Sequence, residues 1–257
     1  MERNPWLYVS NFQSLKAWVK EHAEKELGKA LVSEPVKKNI LALDLDNTVM
    51  RLGHASPHEV AYYITASDNR YSIIPRPGLK EFVDAIRPWF SEVGIFTSSG
   101  EEYASKSALM LARQGHLGPM DFVLSRNSLA KDKHEETYWK NLWVVPGSKK
   151  DLTNVLLVDD DPSYPPPEQG DNVLHMPGYG SHHGKAHENF LSEEGVLMLR
   201  HLSQMDDMPA EMKRLKMLWK DAGFIKETTS ARFFQDGQRC ECGQHEQFGT
   251  IHRFNFF

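Results

Sequence analysis

Five short apolar runs punctuate the chain: residues 39–44, "EVGIF", "DFVL", "NVLLV" and "NVLHM". Each is too short for a stable helix, and each is continuously apolar rather than alternating, as strands covered on both faces are. Between them lie longer stretches with a helical period. In "PRPGLKEFVDAIRPWF", Leu79, Phe82, Val83 and Ile86 share one face, and Pro77 suits a first helical turn. "EEYASKSALMLARQG" reads as a second helix stopped by Gly115. The alternation predicts an α/β fold, Rossmann-like, with a mostly parallel sheet and helices on both faces.

The remaining segments fit around that core. Residues 5–30 have Trp6, Tyr8, Phe12, Leu15, Trp18 and Val19 at rough helical spacing, so they predict a helical preface ending near Gly28. Residues 45–75 hold no helical pattern, but "EVAYYITA" and "RYSIIP" predict a hairpin flap near Asp44. "PSYPPPEQG" reads as loop, residues 185–225 as helical, and the last 30 have no regular pattern. The expected division is 1–38 preface, 39–184 core, and 185–257 extension, helical then irregular. Only about 60 residues separate Thr97 from Asp159, which leaves no room there for a large cap domain.

Bulk properties narrow the function classes. The 257 residues carry a net charge of −5 with 40% hydrophobic positions. That balance offers no concentrated basic face for nucleic acid. No apolar run nears the roughly 20 residues that a membrane span needs. "MERNPWLYVSNF" lacks a secretory pattern, and Cys240 and Cys242 are too few for a disulfide framework, so an intracellular protein is expected.

The chemistry collects directly after the apolar runs. Ligands of open parallel sheets bind beyond the carboxyl ends of the strands. There the sequence places Asp44 and Asp46, Thr97 and Ser98, and Asp159, Asp160 and Asp161. Acidic residues from two strands are hard oxygen ligands of the kind Mg²⁺ takes. Hydroxyls before the second helix sit where backbone N–H groups favour an anion. A metal, an anion cradle and a further carboxylate together read as phosphoryl transfer. Of two carboxylates spaced by one residue, Asp44 could attack phosphorus and Asp46 could move the proton. A cation to offset the crowded negative charge is still required.

"LALDLDNTV", "IFTSSGEEYA", "TYWKNL" and "VLLVDDDP" occur in the order and approximate spacing of the haloacid dehalogenase superfamily. They most resemble its small CTD-type phosphatases, the NLI-interacting-factor-like domain with an Asp-x-Asp-x-Thr signature, over residues 39 to about 180. The resemblance implies that Asp44 is nucleophile and metal ligand. It implies that Asp46 is the general acid/base, whose backbone carbonyl also reaches the metal. Thr48 matches the threonine that braces the loop and is grouped with Thr97 and Ser98 as phosphate-binding. Lys140 fits the phosphate-binding lysine, although Lys149 and Lys150 in "SKKDL" mimic the same pattern. Asp159 and Asp160 match the acidic pair that holds the metal. The expected activity is a Mg²⁺-dependent phosphoprotein phosphatase acting through an aspartyl-phosphate. Phosphoserine or phosphothreonine and phosphotyrosine are all open as substrates, because a site without a large cap admits a macromolecule.

Competing readings attach to the same residues. The fold also serves as a non-catalytic adaptor, which need not keep the full set of Asp44, Asp46, Thr97, Lys140 and Asp159. An Asp-x-Asp can clamp Mn²⁺ in glycosyltransferases, without need of the lysine or the final acidic pair. Thr97 and Ser98 could be a helix cap. His182, His183 and His187 suggest a metal but more often form a polar loop, and Cys240, Cys242, His245 and His252 could hold Zn²⁺, though Cys-x-Cys is shorter than a finger knuckle. Oligomeric state leaves no mark in the sequence.

Overall fold

The computed structural model describes residues 6–26, 37–131, 138–180 and 193–228. Strand β1 (Trp6–Val9) and helix α1 (Phe12–Glu26) come first, then β2 (Ile40–Leu43). Strands β3 (Met50–Leu52), β4 (Tyr62–Ala66) and β5 (Asn69–Pro75) form the flap. Helix α2 (Leu79–Ile86), β6 (Glu92–Phe96), α3 (Glu101–Arg113) and β7 (Val123–Leu124) follow. The two-residue strands β8 (Ala130–Lys131) and β9 (Tyr138–Trp139) pair with each other. Strands β10 (Val155–Asp159) and β11 (Val173–His175) complete the central sheet. Helices α4 (Glu193–Ser203) and α5 (Met208–Asp221) and strand β12 (Ile225–Thr228) end the described chain.

The central sheet is parallel throughout, in the order β11-β10-β2-β6-β7. From β2 the chain runs to β6 and β7 on one side, then returns to β10 and β11 on the other. The reversal falls between β2 and β10, where open parallel sheets place their ligands. Leu41, Leu43, Val93, Ile95, Leu156, Val158 and Leu174 face a core to which α1 to α5 of the described residues all contribute. Ile40, Ala42, Phe96, Val155 and Leu157 face the other way, against Leu142, Val145 and Leu152 of an irregular segment with one 3-10 turn. The alternation is that of strands buried on both faces. Phe122 lies over Gly94 so closely that a β-carbon there would stand 2.4 Å from its ring.

The flap is a three-stranded antiparallel sheet of order β3-β5-β4, one strand more than the expected hairpin. Ser67 and Asp68 turn it with positive φ, as two-residue hairpin loops require.

Three local expectations change. Trp6–Val9 is a strand, because it pairs antiparallel with Ile225–Thr228, and such a tertiary partner overrides the helical spacing. Pro77 stands before the helix: Gly78 caps α2 in the left-handed region at φ 77° and Leu79 is its first residue. "PSYPPPEQG" is not wholly loop, since Pro167–Asn172 forms a 3-10 helix. The stop near Gly28, both histidine and cysteine clusters and the irregular end beyond residue 228 lie outside the described residues.

The β1–β12 pair is tied to the sheet through His175. The Val9 N–H donates to His175 Nδ1 at 2.9 Å, so the ring's own N–H is Nε2, which donates to the Asp160 carbonyl at 3.1 Å. Burial pushes His175 down to about 3, against an opposing pull from the Asp160 carbonyl. The unfolded chain therefore binds a proton that the folded chain refuses between pH 6.5 and about 3, and stability falls as pH falls through that window. From pH 7 to pH 5 the wild type is predicted to lose about 2 kcal/mol more than His175→Gln. Denaturant titrations at both pH values check this, and parallel losses would contradict it.

Candidate active site

Register alone brings the first two carboxylates together. Leu43 is level with Val158 on one side and Ile95 on the other. The next residue on β2 is Asp44 and the last on β10 is Asp159, so they emerge side by side at the switch point. Leu45 is fully buried, while Asn47 takes the left-handed region at φ 61°, a conformation Asn tolerates. The chain thus leaves the sheet in a tight turn, with Leu45 as anchor between Asp44 and Asp46. The Val49 and Met50 N–H groups both donate to the Leu45 carbonyl and close that turn.

Lys140 lies at the centre of this edge and is fully buried. Its Nζ donates to Asp44 Oδ1 at 2.5 Å and to Asp159 Oδ2 at 2.7 Å. Its backbone N–H donates to the Tyr164 carbonyl, and its ammonium rests 4.7 Å from the Tyr164 ring centre. Lys149 and Lys150 are exposed in the turn that enters β10. Of the three candidate lysines, only Lys140 reaches the acidic cluster.

Asp44, Asp159 and Asp160 each offer a carboxylate oxygen, all within 4.8 Å of one another. Three carboxylates against one ammonium leave two negative charges in excess. Burial pushes Asp159 up to about 8, with Lys140 pulling it down and Asp44 adding to the rise. Asp160 is raised well above the ordinary range by burial and then by Asp44, Asp159 and Asp161. Burial works against the charge on Lys140, but Asp159 and Asp44 outweigh it and hold the lysine above its usual value. The cluster accordingly favours taking up positive charge, and its all-oxygen donor set suits a hard divalent cation such as Mg²⁺ completed by water.

The other expected residues have distinct positions. The Asp46 carboxylate stands apart from the acidic cluster: Oδ2 accepts from Ser99 Oγ at 2.7 Å and Oδ1 from the Tyr103 hydroxyl at 2.6 Å. Thr48 is fully buried and its hydroxyl both donates to Asp160 Oδ1 and accepts from the Asp160 N–H. The hydroxyl is thus engaged on both its donor and acceptor sides with Asp160. Thr97 is buried and accepts from the Ser99 N–H, while Ser98 is partly exposed and donates to the Tyr164 hydroxyl. Neither caps α3, whose cap is Gly100 with no side-chain bond.

The acidic triplet divides in three. Asp159 reaches Lys140, Asp160 completes the cluster, and Asp161 turns back to accept from the N–H and hydroxyl of Ser163.

Four residues near the site were given no role from the sequence. Ser99 and Tyr103 hold Asp46, Tyr164 supports Lys140, and buried Arg76 donates to the carbonyls of Thr48 and Pro177. Position was the available clue for Ser99, one residue past Ser98, and for Tyr103, in the first turn of the helix that follows.

The family described as NLI interacting factor-like phosphatase matches residues 39–209. The chain belongs to that family. It is thus an NLI interacting factor-like domain of the haloacid dehalogenase superfamily. No curated protein matches it. Among solved structures it is similar to a variant of the fission yeast RNA polymerase II CTD phosphatase Fcp1 bound to beryllium fluoride. There the identity is 16% over 87% of this chain and 66% of that one, with a TM-score of 0.43. A second structure, of Fcp1 as an essential RNA polymerase II CTD phosphatase, gives 18%, 86%, 67% and 0.43. This NLI interacting factor-like chain therefore spans about two thirds of the length of those structures.

Gly178 lies close against the acidic cluster. A β-carbon there would lie 3.0 Å from Asp160 Oδ2, and its φ is not positive, so alanine fits the backbone. Gly178→Ala is predicted to weaken Mg²⁺ binding about ten-fold with the fold intact. Calorimetric titration of Mg²⁺ measures this, and unchanged affinity would contradict it.

Proposed function

We propose that this domain is a Mg²⁺-dependent phosphoprotein phosphatase that works through a phosphorylated Asp44. The observation that carries the reading is the cluster of buried Asp44, Asp159 and Lys140 with partly exposed Asp160 at the switch point, and a further carboxylate, Asp46, held beside it. Family membership supports the same chemistry. A binding module has no need of a buried lysine between two buried carboxylates, which is expensive to maintain.

Asp44 is the nucleophile. Lys140 orients its carboxylate and offsets the charge of the entering phosphoryl group. Mg²⁺ held by Asp44, Asp159 and Asp160 would neutralise the phosphoryl oxygens and align them for in-line attack. Thr97 and Ser98 receive those oxygens at the start of α3, where free N–H groups favour an anion. Asp46 gives a proton to the leaving oxygen as the P–O bond breaks, then takes one from the water that attacks the aspartyl-phosphate. Thr48 keeps Asp160 in register with the cluster.

Access supports a macromolecular substrate. Asp46, Ser98, Ser99 and Asp160 are all partly exposed, while Asp44, Thr97, Lys140 and Asp159 form the buried floor. Two cavities on the described surface lie elsewhere. One of about 370 Å³ is lined by residues such as His58, Pro77 and His116, and one of about 280 Å³ lies beside Trp143 and Lys150. An open mouth with the flap at its side admits a phosphorylated side chain that projects from a protein.

Asp44→Asn is predicted to keep its fold and lose turnover of p-nitrophenyl phosphate by roughly a thousand-fold or more. Removal of Mg²⁺ by a chelator should abolish wild-type turnover. Matched phosphoserine, phosphothreonine and phosphotyrosine peptides then rank the substrate class. Wild-type rates from Asp44→Asn would sink the mechanism, and a folded, Mg²⁺-binding wild type with no turnover would sink the enzyme reading.

A further inference from the structure

Asp46 is held from a helix that also grips the flap. Both of its carboxylate oxygens are engaged, Oδ1 by the Tyr103 hydroxyl of α3 and Oδ2 by Ser99 Oγ just before that helix. Tyr103 is buried in the first turn of α3. The residues on either side of it hold the flap. Glu102 accepts from the Ser67 N–H at the flap's turn at 2.8 Å, and Lys106 donates to the Thr65 carbonyl at 2.7 Å. Tyr71 of β5 meets the Tyr103 ring edge-on, with centroids 4.8 Å apart and planes at 65°. One turn of helix thus touches the flap's tip, the flap's central strand and the Asp46 carboxylate.

We infer that Tyr103 is a positioning residue that aims the Asp46 carboxyl at the leaving oxygen and ties that aim to the seating of the flap. The inference rests on the reading of Asp46 as general acid. Hydrogen bonds on both oxygens fix the carboxyl's rotation as well as its direction, and removal of one hydroxyl frees the rotation. The Tyr103 ring is in turn held by Tyr71, so a shift of β5 moves the hydroxyl that holds Asp46. A protein substrate that seats the flap would thereby aim the proton donor.

The step affected is the first one. The bond from an Asp44 oxygen to phosphorus forms, the bond to the substrate oxygen breaks, and the Asp46 proton passes to that oxygen. A serine alkoxide leaves poorly without the proton, whereas a nitrophenolate leaves well without it. The parameter kcat/KM reports binding and this step but not hydrolysis of the aspartyl-phosphate, which comes after the first irreversible event.

The experiment measures kcat/KM for p-nitrophenyl phosphate and for a phosphoserine peptide in wild type, Tyr103→Phe, Tyr71→Leu and Asp46→Asn, all with saturating Mg²⁺. Tyr103→Phe is expected to lose about ten-fold on the peptide and less than about two-fold on the aryl ester. Tyr71→Leu is expected to show the same preference at about three-fold. Should Tyr103→Phe fail to fold, Ser99→Ala frees the other oxygen and carries the same expectation. A uniform loss, or none, in Tyr103→Phe while Asp46→Asn keeps its leaving-group dependence would overturn the positioning role alone. No leaving-group dependence in Asp46→Asn would overturn the acid/base reading beneath it. A normal Tyr71→Leu beside an affected Tyr103→Phe would overturn the link to the flap.

Discussion

The ammonium of Lys140, buried between Asp44 and Asp159, is the interaction on which the site depends. Parallel strands in register deliver two carboxylates to neighbouring positions, where they would repel each other in a medium that stabilises neither. The lysine offsets that repulsion, and the carboxylates in turn make its own burial tolerable. Removing one partner of such a buried pair typically costs about 3–5 kcal/mol, since the remainder is left uncompensated. Much of the surrounding loop serves to place this side chain. Its backbone bonds to the Tyr164 carbonyl, the Tyr164 ring lies against it, and the β8–β9 pair leads directly into it.

The balance is deliberately incomplete. With Asp160 the cluster holds three acids to one base, so it is poised for a cation and for the anion that cation would bring. A similar division separates floor from mouth. Asp44, Lys140 and Asp159 are buried in the floor, whereas Asp46 stands partly exposed at the mouth. Its restraint comes from Tyr103 of α3 and from Ser99 just before that helix, outside the charged cluster, so in the proposed mechanism the proton donor is aimed without disturbing the nucleophile.

Much of this was legible in the sequence. Continuous apolar runs identified the five parallel strands, and the polar residues directly after them identified the site, because both follow from the rule that such sheets bind ligands at their carboxyl ends. Lys140 was legible only through family resemblance, since no local pattern distinguishes a buried lysine from the solvated Lys149 and Lys150. The strand at Trp6–Val9 was hidden because its partner lies more than 200 residues away. The tie from Tyr103 to Asp46 was hidden for a related reason. A tyrosine in a first helical turn looks like core packing until the fold shows which carboxylate its hydroxyl meets. Arg76 and His175 are alike in this: each bonds to carbonyls of the acidic loops, contacts that no spacing encodes.

The central claim is that phosphate passes through Asp44. Rapid acid quench of the wild-type protein with a ³²P-labelled phosphopeptide and Mg²⁺, followed by peptide mapping, tests it directly. A phosphorylated Asp44 gives a burst of acid-stable label on the peptide that contains it. Metal-dependent turnover with no label on the protein at any time point, in a quench fast enough to resolve one turnover, would show that water attacks phosphorus directly and would contradict the account.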